Sequence, residues 1–232
     1  MKTNCILLFV CFAVATPLLA REDETALNLT NGFASQKYLG AGKGVIVSVL
    51  DAGIDVTHPA IRGSIYAQRD FTGQKILDDS ENPDDAGHGT GIAGILLGHN
   101  GHTYTGLAPG ARLINARVDT TADVTTDLWA GSGLTWSARK GAKVVNISLG
   151  NKIGGGELTD KLNLISDYVA ERYGVSVVVA AGNEHDTAVR QTPGGSYNGL
   201  TVGALGGPDY TRVWKNSNKA IGSDARTKPD LV

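Results

Sequence analysis

The sequence predicts an α/β protein built on one parallel β-sheet with helices on both faces. Three observations predict this. Short, nearly continuous apolar runs rich in β-branched residues recur along the chain, as strands buried on both faces require. Helical patterns lie between these runs, and strands alternating with helices build parallel sheets. Glycine is abundant, at 31 of 232 residues, while aromatics make up only 6%, which suits tight strand-to-helix turns.

Taken in order, residues 21–43 read as a polar, glycine-containing lead-in. Strands are expected at Val45–Leu50, Arg112–Val118, Val144–Leu149, Val175–Ala180 and Leu200–Ala204. Helices are expected at His88–Leu97, at Asp127–Lys140 with Gly141 as its cap, and at Glu157–Tyr173. The last places Leu158, Leu162, Ile165 and Val169 on one face and is capped by Gly174. No internal repeat and no linker to a second domain is visible.

The composition, 41% hydrophobic and 19% charged with a net charge of −2, is that of a globular domain. It points to neither nucleic acid nor an anionic membrane surface as a partner. The first twenty residues read as a secretory signal. Lys2 supplies the positive charge, Cys5 to Ala15 an apolar core too short to span a bilayer, and Ala15 and Ala20 cleavage points before Arg21-Glu22-Asp23-Glu24. An uncleaved membrane anchor is the alternative. The expected location is secreted or periplasmic, with no stable membrane association after cleavage. Both cysteines, Cys5 and Cys11, fall in this segment, which leaves the mature chain without a disulfide, thiol nucleophile or zinc-thiolate site. The expected organisation is a signal peptide at 1–20, a short lead-in at 21–40 and one domain at 41–232.

In open parallel sheets functional groups gather beyond the carboxyl ends of the strands. The first strand runs into Asp51 within VLDAGID. A carboxylate buried there needs a partner, although a lone Asp after a strand is as often a turn or helix cap. His88 sits among glycines in GHGTGIAG. It can act as a general base if a carboxylate fixes its tautomer; by itself it reads as a structural histidine or a metal ligand. Asn183, in VVVAAGNE, follows a buried strand. Its amide can donate to a developing oxyanion, or it is a turn asparagine.

The order and flanks of VLDAGID, GHGTGIAG, VVNISLG and VVVAAGNE resemble the subtilase family of serine proteases over about residues 38–232. Gly106-Leu107-Ala108-Pro109 and Lys228-Pro229-Asp230-Leu231-Val232 extend the likeness. The resemblance implies a three-layer, subtilisin-like fold and an endopeptidase acting on extended polypeptides, expected as a monomer. Asp51 then orients and stabilises the imidazole of His88, His88 is the general base, and Asn183 is the oxyanion donor. Ser148, Leu149 and Gly150 would pair with the substrate backbone as an added strand, and Ala181 and Gly182 would wall the specificity pocket. The chemistry requires no cofactor. Structural Ca²⁺ fits the family, but the sequence assigns it no ligands.

The family's nucleophile sits in a Gly-Thr-Ser-x-Ala-x-Pro segment, which this sequence lacks. Ser132, in Ala130-Gly131-Ser132-Gly133-Leu134, lacks the outer glycines of a nucleophile elbow. Ser196 follows no clear strand, and Ser148 fits substrate pairing better. The expectation is a domain incomplete at its C-terminus, truncated before the catalytic serine and inactive alone. The alternative is a serine-less pseudoprotease that binds peptides. Two departures from the family stand out. Gly91 replaces a second histidine, which predicts a packing change, and residues 21–42 are too short for a folded inhibitory prodomain.

The remaining signals are weaker. Gly40-Ala41-Gly42-Lys43-Gly44 precedes its strand and lacks the Ser/Thr of a phosphate loop. His99 and His102 read as a solvated loop, as does the acidic run Asp78, Asp79, Glu81, Asp84 and Asp85. Asn28-Leu29-Thr30 and Asn146-Ile147-Ser148 match glycan acceptors, the second expected to be silent in a buried strand.

Overall fold

The computed structural model describes residues 27–28, 30–73, 84, 87–99, 105–120, 126–152, 160–185, 191–206, 209–221 and 225–232. The expected signal peptide, Leu158 and His102 lie outside these residues, as does most of the acidic run.

Six strands form the parallel sheet: β1 (Ile46–Asp51), β2 (Ile65–Asp70), β3 (Arg112–Arg117), β4 (Val144–Ile147), β6 (Ser176–Ala180) and β8 (Leu200–Val202). Between them in sequence, the short strands β5 (Asn151–Lys152) and β7 (Gln191–Thr192) pair antiparallel with each other. Their order is β2-β3-β1-β4-β6-β8. The apolar runs therefore form strands, each shifted or shortened by a few residues. Helix α2 (His88–Leu97) keeps its expected bounds, and α3 (Asp127–Arg139) gives up Lys140 as its C-cap. Helix α4 (Lys161–Tyr173) starts later than expected.

The side chains of β1 alternate between two cores. Val47 and Val49 pack with Ile92, Ala93, Leu96 and Leu97 of α2. Leu50 packs with Leu134 and Ala138 of α3 and Val169 of α4. The buried hydroxyls of Ser48 and Ser137 meet at 2.8 Å on that second face, which ties β1 to α3. The result is the expected three layers, with α2 on one face and α3 and α4 on the other.

Two elements of more than three residues have no counterpart in the sequence expectation. The lead-in contains a helix, α1 (Gly32–Leu39), followed by a 3-10 turn at Gly40–Gly42. It carries no apolar stripe, since Gly32 alone is buried, and so has no helical signature in the sequence. Gln36 instead anchors it by donating to the carbonyl of Leu107 at 3.2 Å. The second is β2, an edge strand whose IYAQRD sequence buries Gln68 and Asp70 while exposing Tyr66. Polar residues at buried positions hid it from a search for apolar runs.

Asp70 ends β2 and accepts from Thr72 Oγ1 (2.6 Å), the Thr72 amide (2.8 Å) and the Gly73 amide (3.1 Å). Burial pushes its carboxyl up. The Thr72 hydroxyl, the Gly73 and Thr72 amides and the Arg117 guanidinium outweigh that and hold it below its ordinary value. A depressed native value stabilises the fold above the unfolded carboxyl pKa of about 3.9. That stability is lost as pH falls through the lower native value. Asp70→Asn is therefore expected to be less stable at neutral pH and to flatten the acid limb of a stability profile taken by denaturant unfolding.

Asp160 caps α4, accepting from the amides of Leu162 (3.0 Å) and Asn163 (3.1 Å) and from the Thr192 hydroxyl. Asp160→Ala is expected to cost about 1 kcal/mol in urea unfolding, because it leaves two first-turn amides unsatisfied. Beyond β8 the chain returns alongside it. Leu231 bridges Val202 in parallel, and buried Lys228 donates to the carbonyl of Gly199 (3.0 Å) and to Asp230 (2.7 Å).

Candidate active site

β1 is an interior strand, so Asp51 lies at the carboxyl end of the sheet's middle, not on an outer strand. Its side chain is 4% exposed. One oxygen accepts the Ala52 amide at 2.8 Å. Both oxygens lie 2.9 Å from Nδ1 of His88, whose side chain is 36% exposed. The imidazole thus bridges a buried carboxylate and the protein surface.

This contact needs α2 to start almost on top of the turn after β1. A Cβ on Gly89 would lie 2.0 Å from the carbonyl oxygen of Gly53 and 3.1 Å from Asp51 Cβ. Thr90 fastens the same junction: its hydroxyl accepts the Asp55 amide at 2.8 Å and also bonds Asp84. Asp84 further accepts the amides of Gly87 and Thr90, each at 2.8 Å, and so closes the helix start that Gly87 cannot cap with a side chain. Asp84 was expected in a solvated loop; it is a structural acceptor instead. At Gly91 a Cβ would meet nothing within 4 Å, so the missing side chain leaves open space.

The other expected residues line the same edge. Ser148, Leu149 and Gly150 follow β4, which pairs with β1, and Ser148 Oγ accepts from Asn146 Nδ2 at 2.8 Å. That bond and burial within β4 occupy the Asn146 glycan sequon. Ala181 and Gly182 follow β6, which pairs with β4. The Ala181 amide donates to Val202 at 2.9 Å, and Gly182 has a φ of 100°, a conformation that favours glycine. Asn183 comes next and is exposed. Among the described residues its side-chain amide has no hydrogen-bond partner, and no hydrogen bond joins it to Asp51. Two inter-strand spacings, about 10 Å, separate β1 from β6.

The internal serines lie elsewhere. Ser132 lines a cavity of about 710 Å³ with Arg69, Trp129 and Trp136 on the α3 face, with the sheet between it and α2. The glycines beside it serve packing: a Cβ on Gly131 would meet Ile165 at 2.7 Å, and one on Gly133 would meet Val118 at 2.5 Å. Ser196 is fully buried before β8, at the amino end of the sheet. The Gly40–Gly44 loop also enters at the amino end of β1, with the Ala41 carbonyl bonded to the Gly110 amide at 2.7 Å. His99 is exposed and bridges Thr105. Among the described residues, no group of three or more His, Cys, Asp or Glu side chains is placed to hold a metal. Nor is any helix among them long and apolar enough to cross a membrane.

Sequence reasoning missed Asp84 and Asn218. The first looked like one charge in an acidic run. The second lies far from any motif, yet bonds both flanks of Asn183.

The chain resembles known proteins throughout this architecture. "Subtilisin-like protease 2" of Arthroderma benhamiae is 32% identical over 189 residues, covering 78% of this chain and 41% of that protein. The protein of that name from Trichophyton rubrum is 33% identical with the same coverage. The chain thus spans about two fifths of the length of these relatives. Among solved structures, the S41 psychrophilic protease matches at 28% identity with a TM-score of 0.67, over 77% of this chain and 60% of that one. Sphericase matches at 26% with a TM-score of 0.65 and the same coverage. A lanthipeptide protease, at 19% identity and a TM-score of 0.72 over 88% of this chain and 61% of that one, supports the fold alone. The peptidase S8 family model matches residues 42–232, and with all four motifs inside that span the chain belongs to the subtilase family.

Proposed function

We propose that this chain supplies the aspartate, histidine and oxyanion donor of an exported serine endopeptidase acting on extended polypeptides. The observation that carries the reading is the double 2.9 Å contact of Asp51 with Nδ1 of His88. A buried carboxylate there holds the proton on Nδ1 and leaves Nε2 to take one from a serine hydroxyl, then return it to the leaving amine. Asn183 donates to the tetrahedral oxyanion. Ser148–Gly150 offer an edge for the substrate backbone, and Ala181 and Gly182 border the side-chain pocket. The reaction uses side chains and amides of the protein and no cofactor. Any structural Ca²⁺ would act on stability alone. Residues 1–20 direct export, and the mature protein works as a soluble monomer.

The nucleophile is none of Ser132, Ser148 and Ser196. The test is fluorophosphonate labelling followed by peptide mapping. The 232-residue chain is expected to take no label, whereas the protein as its source produces it is expected to take one and to cleave denatured casein. A label on any of those three serines overturns the assignment. Peptide binding without labelling of the native protein would replace it with the serine-less reading.

A further inference from the structure

We infer that Asn218 is the positioning residue for the oxyanion donor, gripping the turn on both sides of Asn183. The inference rests on the function proposed above. Asn183 sits in irregular backbone after β6, and its side chain has no partner among the described residues. Its aim is therefore set by its main chain.

Asn218 supplies what that main chain lacks. Its amide donates to the Gly182 carbonyl at 3.0 Å, before Asn183. Its Oδ1 accepts the Glu184 amide at 2.7 Å, after Asn183. Its Nδ2 donates to Glu184 Oε2 at 2.6 Å, and the same oxygen accepts the Asn183 amide at 3.0 Å. Asn218 makes three of these bonds, and the Glu184 carboxylate it holds makes the fourth, so that together they brace the backbone around the donor. Asn218 itself is 4% exposed, so the clamp is held from its buried side while Asn183 and Glu184 face solvent.

The clamp is itself anchored. Ser217 is buried, and its hydroxyl accepts the Ala204 amide at 3.0 Å just beyond β8. Trp214 donates to the Ala204 carbonyl at 2.8 Å, and the His185 amide donates to the Asn216 carbonyl at 3.0 Å. The 214–218 segment therefore couples the turn after β6 to the neighbouring strand. An amide suits position 218, since it offers Glu184 an acceptor for the main-chain N–H and, on a separate atom, a donor for the carboxylate.

Steady-state hydrolysis of a peptide anilide by the native protein tests this. Asn218→Ala is expected to lower kcat roughly 10- to 100-fold, within the ~10²–10³ ceiling for losing the donor outright, with KM unchanged. Because it acts through Asn183, the double variant Asn183→Ala/Asn218→Ala should be no slower than Asn183→Ala alone. Asn218→Asp sets two carboxylates against each other, and adding Glu184→Gln should restore activity by restoring a donor. Losses that multiply in the double variant, a rise in KM alone, or no rescue by Glu184→Gln would overturn the inference. If the native protein hydrolyses nothing, the proposed function fails instead. Amide exchange then still decides the clamp: Glu184 N–H should lose its protection in Asn218→Ala, and persistent protection would remove the clamp as well.

Discussion

Asp51→Asn is expected to lower kcat of the native protein about 10⁴-fold with little change in KM. The fold should survive, because an asparagine oxygen can keep the 2.8 Å bond from the Ala52 amide. What changes is the imidazole. Asp51 presents two acceptor oxygens to Nδ1 of His88 at equal distance, so the proton stays on that nitrogen. Asparagine presents one oxygen and one NH₂. With its oxygen held by Ala52, the NH₂ faces Nδ1 and draws the ring into the tautomer protonated at Nε2, which cannot accept a proton from serine. Anilide hydrolysis measures the loss, and ¹⁵N chemical shifts of His88 report the tautomer. A loss below about tenfold would mean that the carboxylate only packs the ring, contrary to the roles assigned above.

Gly89→Ala is the second large effect. In an ordinary helix, alanine is better than glycine by up to about 1 kcal/mol. Here the added carbon would stand 2.0 Å from a main-chain oxygen of Gly53, and no flexible side chain can swing aside. Either α2 retreats from β1 or the turn after Asp51 deforms. The expected cost is about 3 kcal/mol, at the upper end for overpacking, together with a longer Asp51–His88 contact. Gly91→Ala is the control on the same helix, since its Cβ would meet nothing. It should stabilise by about 0.5–1 kcal/mol. Urea unfolding of both variants decides the matter, and equal effects would show that the close approach of Gly89 does not constrain the site.

Much of this architecture was legible in the chain because burial on both faces leaves a plain mark. Val47 and Val49 face one core and Leu50 the other, so β1 reads as a run instead of an alternation. The same mark revealed β4 and β6 and, by the rule that function lies beyond strand ends, made Asp51 and Asn183 candidates, whereas Ser148 entered only through the likeness to subtilases. It failed at β2, where Gln68 and Asp70 are buried but polar, and at α1, which lies on the surface with no apolar face. The clusters that hold the site were illegible for a different reason. Asp84 and Asn218 act mainly through main-chain amides. Any residue but proline can present an amide, so those bonds leave no trace in side-chain chemistry.

The strand order carries a consequence for how the protein comes into being. β1 is flanked by β3 and β4, both later in sequence, and β4 joins it to β6. Every pairing in the sheet therefore closes a long crossover, a topology that slows folding because loop entropy is lost before contacts repay it. The turn that carries Asn183 is not in place beside Asp51 and His88 until β6 has docked, nor is Asn218 in place against it until the chain beyond β8 has come back. Under the proposed function, competence to cut is thus a late event in assembly, and an unfinished chain has no completed site with which to attack its neighbours.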